Sequence, residues 1–223
     1  MKEVALIHTV KLVLETFGEK VKTAIKDIKI TNTLDEYLAA DPAERGEFTI
    51  KNMNRLFKII KCAEMTDADA IVVTCSTLSP TVELVKPFIN VPLIAIDEAM
   101  LKKAVEIGSN IAVIATAEST IIPTTQGLYR EAAKSNKKIQ LSIIRCPDAY
   151  AAMKSGDIAW HNEIIMKKAC CIKDQDVVVL AQASMAEIEE DIAKICQIPV
   201  LSSPKLCIEQ LKSILTDSKT NNK

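Results

Sequence analysis

Residues 67–75 read DADAIVVTC, and residues 174–182 read DQDVVVLAQ. In each, an acidic triplet suited to a turn leads into an unbroken apolar run that stops on a polar side chain. An apolar run too short for a helix, rich in Val and Ile and without polar alternation, marks a parallel strand covered on both faces. The two stretches stand 107 residues apart (174 − 67 = 107). Working outward, VALIHT (4–9) matches IAVIAT (111–116) and NVPLI (90–94) matches QIPVL (197–201) at the same offset. Three separated matches at one spacing read as an internal duplication.

IKITNT (28–33) and IQLSIIRC (139–146) complete the set, so eight strands are expected: 4–9, 28–33, 70–75, 92–97, 111–116, 139–146, 177–182 and 199–204. Helical patterns such as KLVLETFGEKVKTAIK, NMNRLFKIIKCAEM, TVELVKPFI and AEIEEDIAKI separate them. Strands alternating with helices give an α/β class. The expected architecture is two pseudo-symmetric α/β/α lobes, each with a four-stranded parallel sheet and with an active-site cleft between them. The first lobe takes residues 1–98 plus 205–223, and the second takes 99–204. The charged stretch TLDEYLAADPAERGEFT (33–49) reads as either a mobile lid or a surface loop with a helical turn, and TDSKTNNK (216–223) reads as a disordered tail.

Composition removes several function classes. With 48% hydrophobic residues in 223 the chain can bury a large core. The net charge of -1, with mixed signs throughout, gives no basic field for nucleic acid. No apolar stretch reaches the ~20 residues of a membrane span, and MKEVALIHTV turns polar too early for a secretory signal. Seven cysteines, an odd number without a disulfide rhythm, suit a reducing cytoplasm. No Cys-x-x-Cys pair occurs, and with 5 glycines there is no phosphate-binding loop, so neither a metal nor a nucleotide cofactor is expected.

Ligands in parallel sheets bind beyond the carboxyl ends of the strands. That rule gathers His8, Thr9, Asn32, Cys75, Ser76, Thr77, Thr116, Glu118, Ser119, Thr120, Gln182, Ala183 and Ser184 as site candidates. Cys75 is the expected catalytic group. It precedes a helix whose N-cap is expected at Ser79, with Pro80 in the first turn, and a helix start favours both a thiolate and a bound carboxylate. A thiolate beside a carboxylate can take or return the proton on the neighbouring carbon. His8 is the second catalytic candidate, expected to hydrogen-bond the thiol. Glu118 is either a wall of the site or a helix-start carboxylate. His161 is expected at the surface or in a cap, and Cys62, Cys170, Cys171, Cys196 and Cys207 as buried structural residues. The acidic triplets precede their strands, so they lie at the opposite sheet end and read as turn residues rather than metal ligands. Arg45 and Arg55 read as surface charges.

The duplicated halves, a strand ending in Cys75-Ser76-Thr77 and a mirrored strand running into Ala183-Ser184 resemble the aspartate/glutamate/hydantoin racemase superfamily. That group includes cofactor-independent racemases, maleate isomerase and arylmalonate decarboxylase. The resemblance implies a small carboxylate or amino acid as substrate, no cofactor, and a homodimer. It assigns Cys75 as the first catalytic cysteine, Ser76 and Thr77 as carboxylate binders, and Thr116 as their counterpart in the other half. It places the second catalytic cysteine at position 182, where this chain has Gln182, a side chain with no titratable proton. Four readings stay open: a one-cysteine isomerase, a decarboxylase-like lyase, a racemase whose second base is His8 or a water, and a carboxylate-binding protein without turnover. An acidic Glu118 near the anion site disfavours a substrate with two carboxylates.

Overall fold

The computed structural model describes residues 1–217. The chain divides into two compact units, Met1–Ile96 with the chain from Pro204 onward, and Asp97–Ser203. In the first unit the elements run β1 (Lys2–His8), α1 (Lys11–Ala24), β2 (Ile28–Leu34), α2 (Tyr37–Arg45), α3 (Ile50–Glu64), β3 (Ala70–Val73), α4 (Ser79–Val85) and β4 (Leu93–Ala95). The second runs α5 (Glu98–Ile107), β5 (Asn110–Ala115), α6 (Glu118–Lys134), β6 (Gln140–Arg145), α7 (Pro147–Lys154), α8 (Ile158–Ala169), β7 (Val177–Leu180), α9 (Glu189–Cys196) and β8 (Val200–Leu201). Helix α10 (Ser203–Asp217) follows. Of the tail read as disordered, Thr216 and Asp217 close this helix, and residues 218–223 lie outside the described residues.

Each unit holds a four-stranded parallel sheet, in the orders β2-β1-β3-β4 and β6-β5-β7-β8. Strand periodicity divides the side chains between two faces. Ala5, Ile7, Ile71, Val73, Leu93 and Ala95 bury against Leu38, Leu56, Ile60 and Val82 of α2, α3 and α4. Leu6 points to the other face, where α1 passes close enough for Gly18 to approach it. In the second unit Ala112, Ile114, Val178, Leu180 and Val200 bury against Ala149, Ile165 and Ile192 of α7, α8 and α9.

The backbone bonds at the strand ends repeat at the sequence offset. Thr74 N–H donates to Ile7 O at 2.9 Å, and Ala181 N–H donates to Ile114 O at 2.9 Å. At the opposite ends, Asp69 accepts from Glu3 N–H at 2.9 Å and Asp176 accepts from Ser109 and Asn110 N–H at 2.7 and 2.8 Å. The acidic triplets thus brace the start of the central strand in each sheet. The Asn110 and then the Ser109 amide hold the Asp176 carboxyl below its usual range.

Segment 33–49 holds a full helix where a surface loop with one helical turn was an expected alternative. Its centre is α2, anchored by fully buried Leu38 and ended by Gly46 in a left-handed conformation, φ 77°. Asp41 ties α2 to its neighbours, accepting from Arg45 Nε and Tyr37 Oη at 2.8 Å each and from Asn52 Nδ2 at 3.1 Å. These bonds, Arg45 first, hold Asp41 at a pKa of about 2 despite its burial. Asn52 in turn forms a capping box with Thr49 at the start of α3. The sequence showed the breakers Pro42 and Gly46, whereas the anchor Leu38 and the Asp41 network act through tertiary contacts.

Gly108 lies where a side chain has no room. A Cβ there would overlap Asp176 Cβ and sit 2.7 Å from Asp176 Oδ2, the oxygen that braces β5. Gly18, inside α1, would place its Cβ 4.0 Å from Leu6 Cδ1. Urea unfolding of Gly108→Ala is therefore expected to show a loss of about 2–3 kcal/mol. Gly18→Ala should gain about 0.5–1 kcal/mol from helix propensity. Equal effects in the two variants would contradict the bracing role of Asp176.

Candidate active site at the carboxyl ends of the strands

The third strand of each sheet leaves through the same local structure. After β3, Cys75 adopts an extended conformation (φ -131°, ψ 118°) and caps a 3-10 turn, Ser76–Leu78, that continues into α4. After β7, Gln182 (φ -121°, ψ 140°) caps the 3-10 turn Ala183–Ile188, which continues into α9. The helical segment therefore begins four residues earlier than the Ser79-Pro80 pair suggested. Ser79 is buried inside it, and Cys75 itself holds the capping position. Pro80 still lies in the first turn of α4, as its fixed φ and missing N–H favour.

Parallel register sets the neighbours of Cys75. Ile7 pairs with Val73, so Thr9 and Cys75 each follow the last paired position of their strand by two residues. The Thr9 hydroxyl is buried and lacks a hydrogen-bond partner, and so does the Thr116 hydroxyl at the corresponding end of β5. Unpaired buried hydroxyls are rare because the lost hydration costs about 1–3 kcal/mol, which makes these two oxygens natural ligand contacts. Ser76 is buried, Thr77 half-buried, and the Cys75 thiol half-buried at the edge of the first unit's core. None of the cysteines forms a disulfide among the described residues. Cys207 is buried as expected and Cys196 is half-buried, while Cys62, Cys170 and Cys171 are exposed rather than structural.

His8 does not bond the thiol. Its ring is fully buried, with Nε2 3.0 Å from Asn32 Oδ1 and Nδ1 2.8 Å from Thr74 Oγ1. With Nε2 donating to Asn32, a neutral ring has Nδ1 accepting the one Thr74 hydroxyl proton, which also has Ile7 O within reach at 3.1 Å. Burial lowers its pKa, partly opposed by the Asn32 bond. Asn32 is thereby engaged as the partner of His8 from the edge strand β2. His8 fastens the ends of β1, β2 and β3 together, one residue away from both Thr9 and, through Thr74, Cys75.

In the second unit Gln182 Oε1 accepts from Thr116 N–H at 3.2 Å, and Gln182 Nε2 donates to Thr120 Oγ1 at 3.0 Å. Glu118 is an exposed helix-start carboxylate, paired with Arg145 at 3.2 Å. Ser119, Ala183 and Ser184 are half-buried around it and Gln182. Arg45 and Arg55 pair with Asp41 and Asp35, as surface charges do. His161 is buried in α8 rather than at the surface, with Nδ1 2.8 Å from Asn162 Oδ1. Its position on an otherwise amphipathic helix gave no signal of burial.

Comparison with known proteins finds the same fold elsewhere. The model of the Asp/Glu/Hydantoin racemase family matches residues 15–211. A glutamate racemase, isoform RacE1, from Bacillus anthracis superposes with a TM-score of 0.74 at 15% identity, covering 97% of this chain and 82% of the other. An allantoin racemase from Klebsiella pneumoniae gives 0.70 at 14% identity, over 98% and 89% of the two chains. An aspartate racemase from Picrophilus torridus gives 0.70 at 16%, over 96% and 94%. A search of curated proteins finds no match.

The state of His8 is open to a direct test. An unfolded histidine titrates near 6.5, and the folded ring binds its proton less tightly. The unfolded chain therefore takes up more protons as the pH drops below 6.5, and folding stability is lost through that window toward the lowered folded value. NMR titration of the His8 ring should show a midpoint below 6.5. A midpoint at or above 6.5 would mean that the neutral Asn32–His8–Thr74 chain is wrongly assigned.

Proposed function

The chain belongs to the Asp/Glu/Hydantoin racemase family, and from that premise we propose that it is a cofactor-independent, racemase-like isomerase working on a small carboxylic or amino acid with Cys75 as its acid/base. The observation that carries the proposal is the half-buried Cys75 thiol, which caps a helical segment at the carboxyl end of β3. Donors at the turn, with Ser76 and Thr77, bind the substrate carboxylate. The Cys75 thiolate takes the proton from the adjoining carbon. The electron pair left on that carbon spreads into the carboxylate, where the same donors stabilise it. The thiol then returns the proton, to the same carbon or to a neighbouring one.

Gln182 occupies the position that the family resemblance gives to a second catalytic cysteine. An amide neither takes nor gives a proton in this range, and this one is tied to Thr116 and Thr120. Two-base racemisation with inversion is therefore not the proposed reaction; proton transfer by Cys75 alone is. His8 acts as a positioning residue rather than as the missing base, since both its nitrogens are engaged. The protein is further proposed to work in a reducing cytoplasm, on the odd number of cysteines, and as a homodimer, on family resemblance alone.

Incubation in deuterated water with a panel of small amino, hydroxy and dicarboxylic acids tests the reaction. NMR should show loss of the proton next to the carboxylate with retained configuration, or conversion to a positional isomer. Cys75→Ser should lower that rate by about 10²–10⁴-fold, the usual worth of a general acid/base. Inversion would reveal a second base. Saturable binding without exchange or product would make the protein a carboxylate binder, and carbon dioxide release a lyase.

A further inference from the structure

The outer edge of the first sheet can be read residue by residue from its hydrogen bonds. Strand β2 stands at one end of the order β2-β1-β3-β4, and among the described residues it pairs only with β1. Asp35 N–H donates to His8 O at 2.9 Å, just past the last pair of that ladder, His8 with Leu34. In a parallel ladder the peptide groups of alternate residues face the same neighbour. Thr33, Thr31 and Lys29 therefore turn their N–H and C=O toward β1, while Ile28, Ile30, Asn32 and Leu34 turn theirs away from the sheet.

An open edge is a template for another strand, and proteins usually guard it with charge, proline or a bulge. Here the guards are missing. Residues 28–34, IKITNTL, hold no proline, and their register with β1 is unbroken. The one charge, Lys29, is neutralised within the chain by Glu3 at 2.9 Å. Thr31, Asn32, Thr33 and Leu34 are exposed in succession. The corresponding edge strand β6 is better covered, with Leu141 to Ile144 half-buried. At the other sheet edges β4 has 3 residues and β8 has 2, too short to template a partner.

Strand β2 is also complementary to itself. Two copies laid antiparallel about a two-fold axis at Thr31 put Ile28 opposite Leu34 and Ile30 opposite Asn32 (28 + 34 = 30 + 32). Every outward-facing residue of one strand then meets an outward-facing residue of the other, and any other two-fold register leaves one without a partner in the strand. Thr31 meets Thr31 and Lys29 meets Thr33, so no like charges face each other within the strand. Beyond its ends the same register sets exposed Lys26 opposite exposed Glu36 (26 + 36 = 28 + 34). Asp35 is already held by Arg55 at 2.6 Å, and Asp27 leaves the strand path with φ 56°. We infer that the edge of β2 is the interface with a second copy of this chain, joining the two four-stranded first-unit sheets into one. The inference takes the copy number from the homodimer proposed above and gives that dimer a surface; it is independent of the proton-transfer reading.

The test combines sedimentation equilibrium, against 24.5 kDa for one copy, with amide exchange by NMR on the full chain labelled with nitrogen-15. Wild type should be a dimer in which the backbone amides of Ile30, Asn32 and Leu34 are protected alongside those of Thr31 and Thr33. Thr31→Lys sets two charges face to face at the axis and should weaken the dimer about tenfold. Ile30→Pro removes an outward N–H without touching the β1 ladder and should weaken it likewise. In both variants the Asn32 and Leu34 amides should lose protection while Thr33 keeps its own. A monomeric wild type would overturn the inference and the homodimer together. A dimer that survives both substitutions, or whose Asn32 and Leu34 amides exchange freely, would overturn the β2 interface and leave the homodimer standing. Protection at Leu141 and Ile143 instead would move the interface to β6, where these amides face outward because Cys146 N–H donates to Ala115 O. The wild-type exchange pattern decides the matter by itself if a variant fails to fold.

Discussion

The site depends on one backbone hydrogen bond, Thr74 N–H to Ile7 O at 2.9 Å. It is the last rung between β1 and β3, and it fixes where the two strands part. Beyond it each chain must leave the sheet, and the polar residues Thr9 and Cys75 follow just past the rung. His8 and Thr74 lock that exit from below by their side chains, with Asn32 holding the far ring nitrogen. A buried, neutral histidine is an apt fastener because each nitrogen meets a partner and no charge has to be desolvated. Ala181 N–H to Ile114 O, also 2.9 Å, sets the same exit in the other sheet, where Thr116 and Gln182 emerge together.

Similar scaffolding therefore delivers different chemistry in the two units. The first presents a half-buried thiol. The second presents an amide that satisfies itself against Thr116 and Thr120. A thiol can exchange a proton, whereas an amide offers only fixed donors and acceptors. The proposed reaction therefore places proton transfer at the first strand end. The contrast arises from a single side chain at each equivalent position, without a change in backbone conformation.

Much of the fold was legible because a parallel strand covered on both faces leaves a strong trace. AIVV and VVVL stand out, and their common offset tied the two sheets together. The expected strands agree with the observed ones to within a few residues, and the family resemblance is confirmed by the match over residues 15–211. Placement of Cys75 and Gln182 at strand ends followed from the same runs. Three features were not legible for a shared reason. The helical identity of 37–45 depends on Leu38 reaching the core and on Asp41 gathering Tyr37, Arg45 and Asn52. The partners of His8 come from strands 24 and 66 residues away. The early helix start at Ser76 replaced a strong local signal, Ser79-Pro80, with a turn set by where the sheet ends. In each case tertiary structure, and not local sequence, decided the outcome.

The most direct test of the account is ligand protection of individual thiols, read by peptide mass spectrometry after brief iodoacetamide labelling. Exposed Cys62, Cys170 and Cys171 serve as internal references, since they lie away from the strand ends. A small carboxylate that binds the site should slow labelling of Cys75 while leaving those three unchanged. If Cys75 resists labelling altogether, or is slowed no more than the references by any carboxylate tried, the thiol does not sit in a ligand site and the account fails.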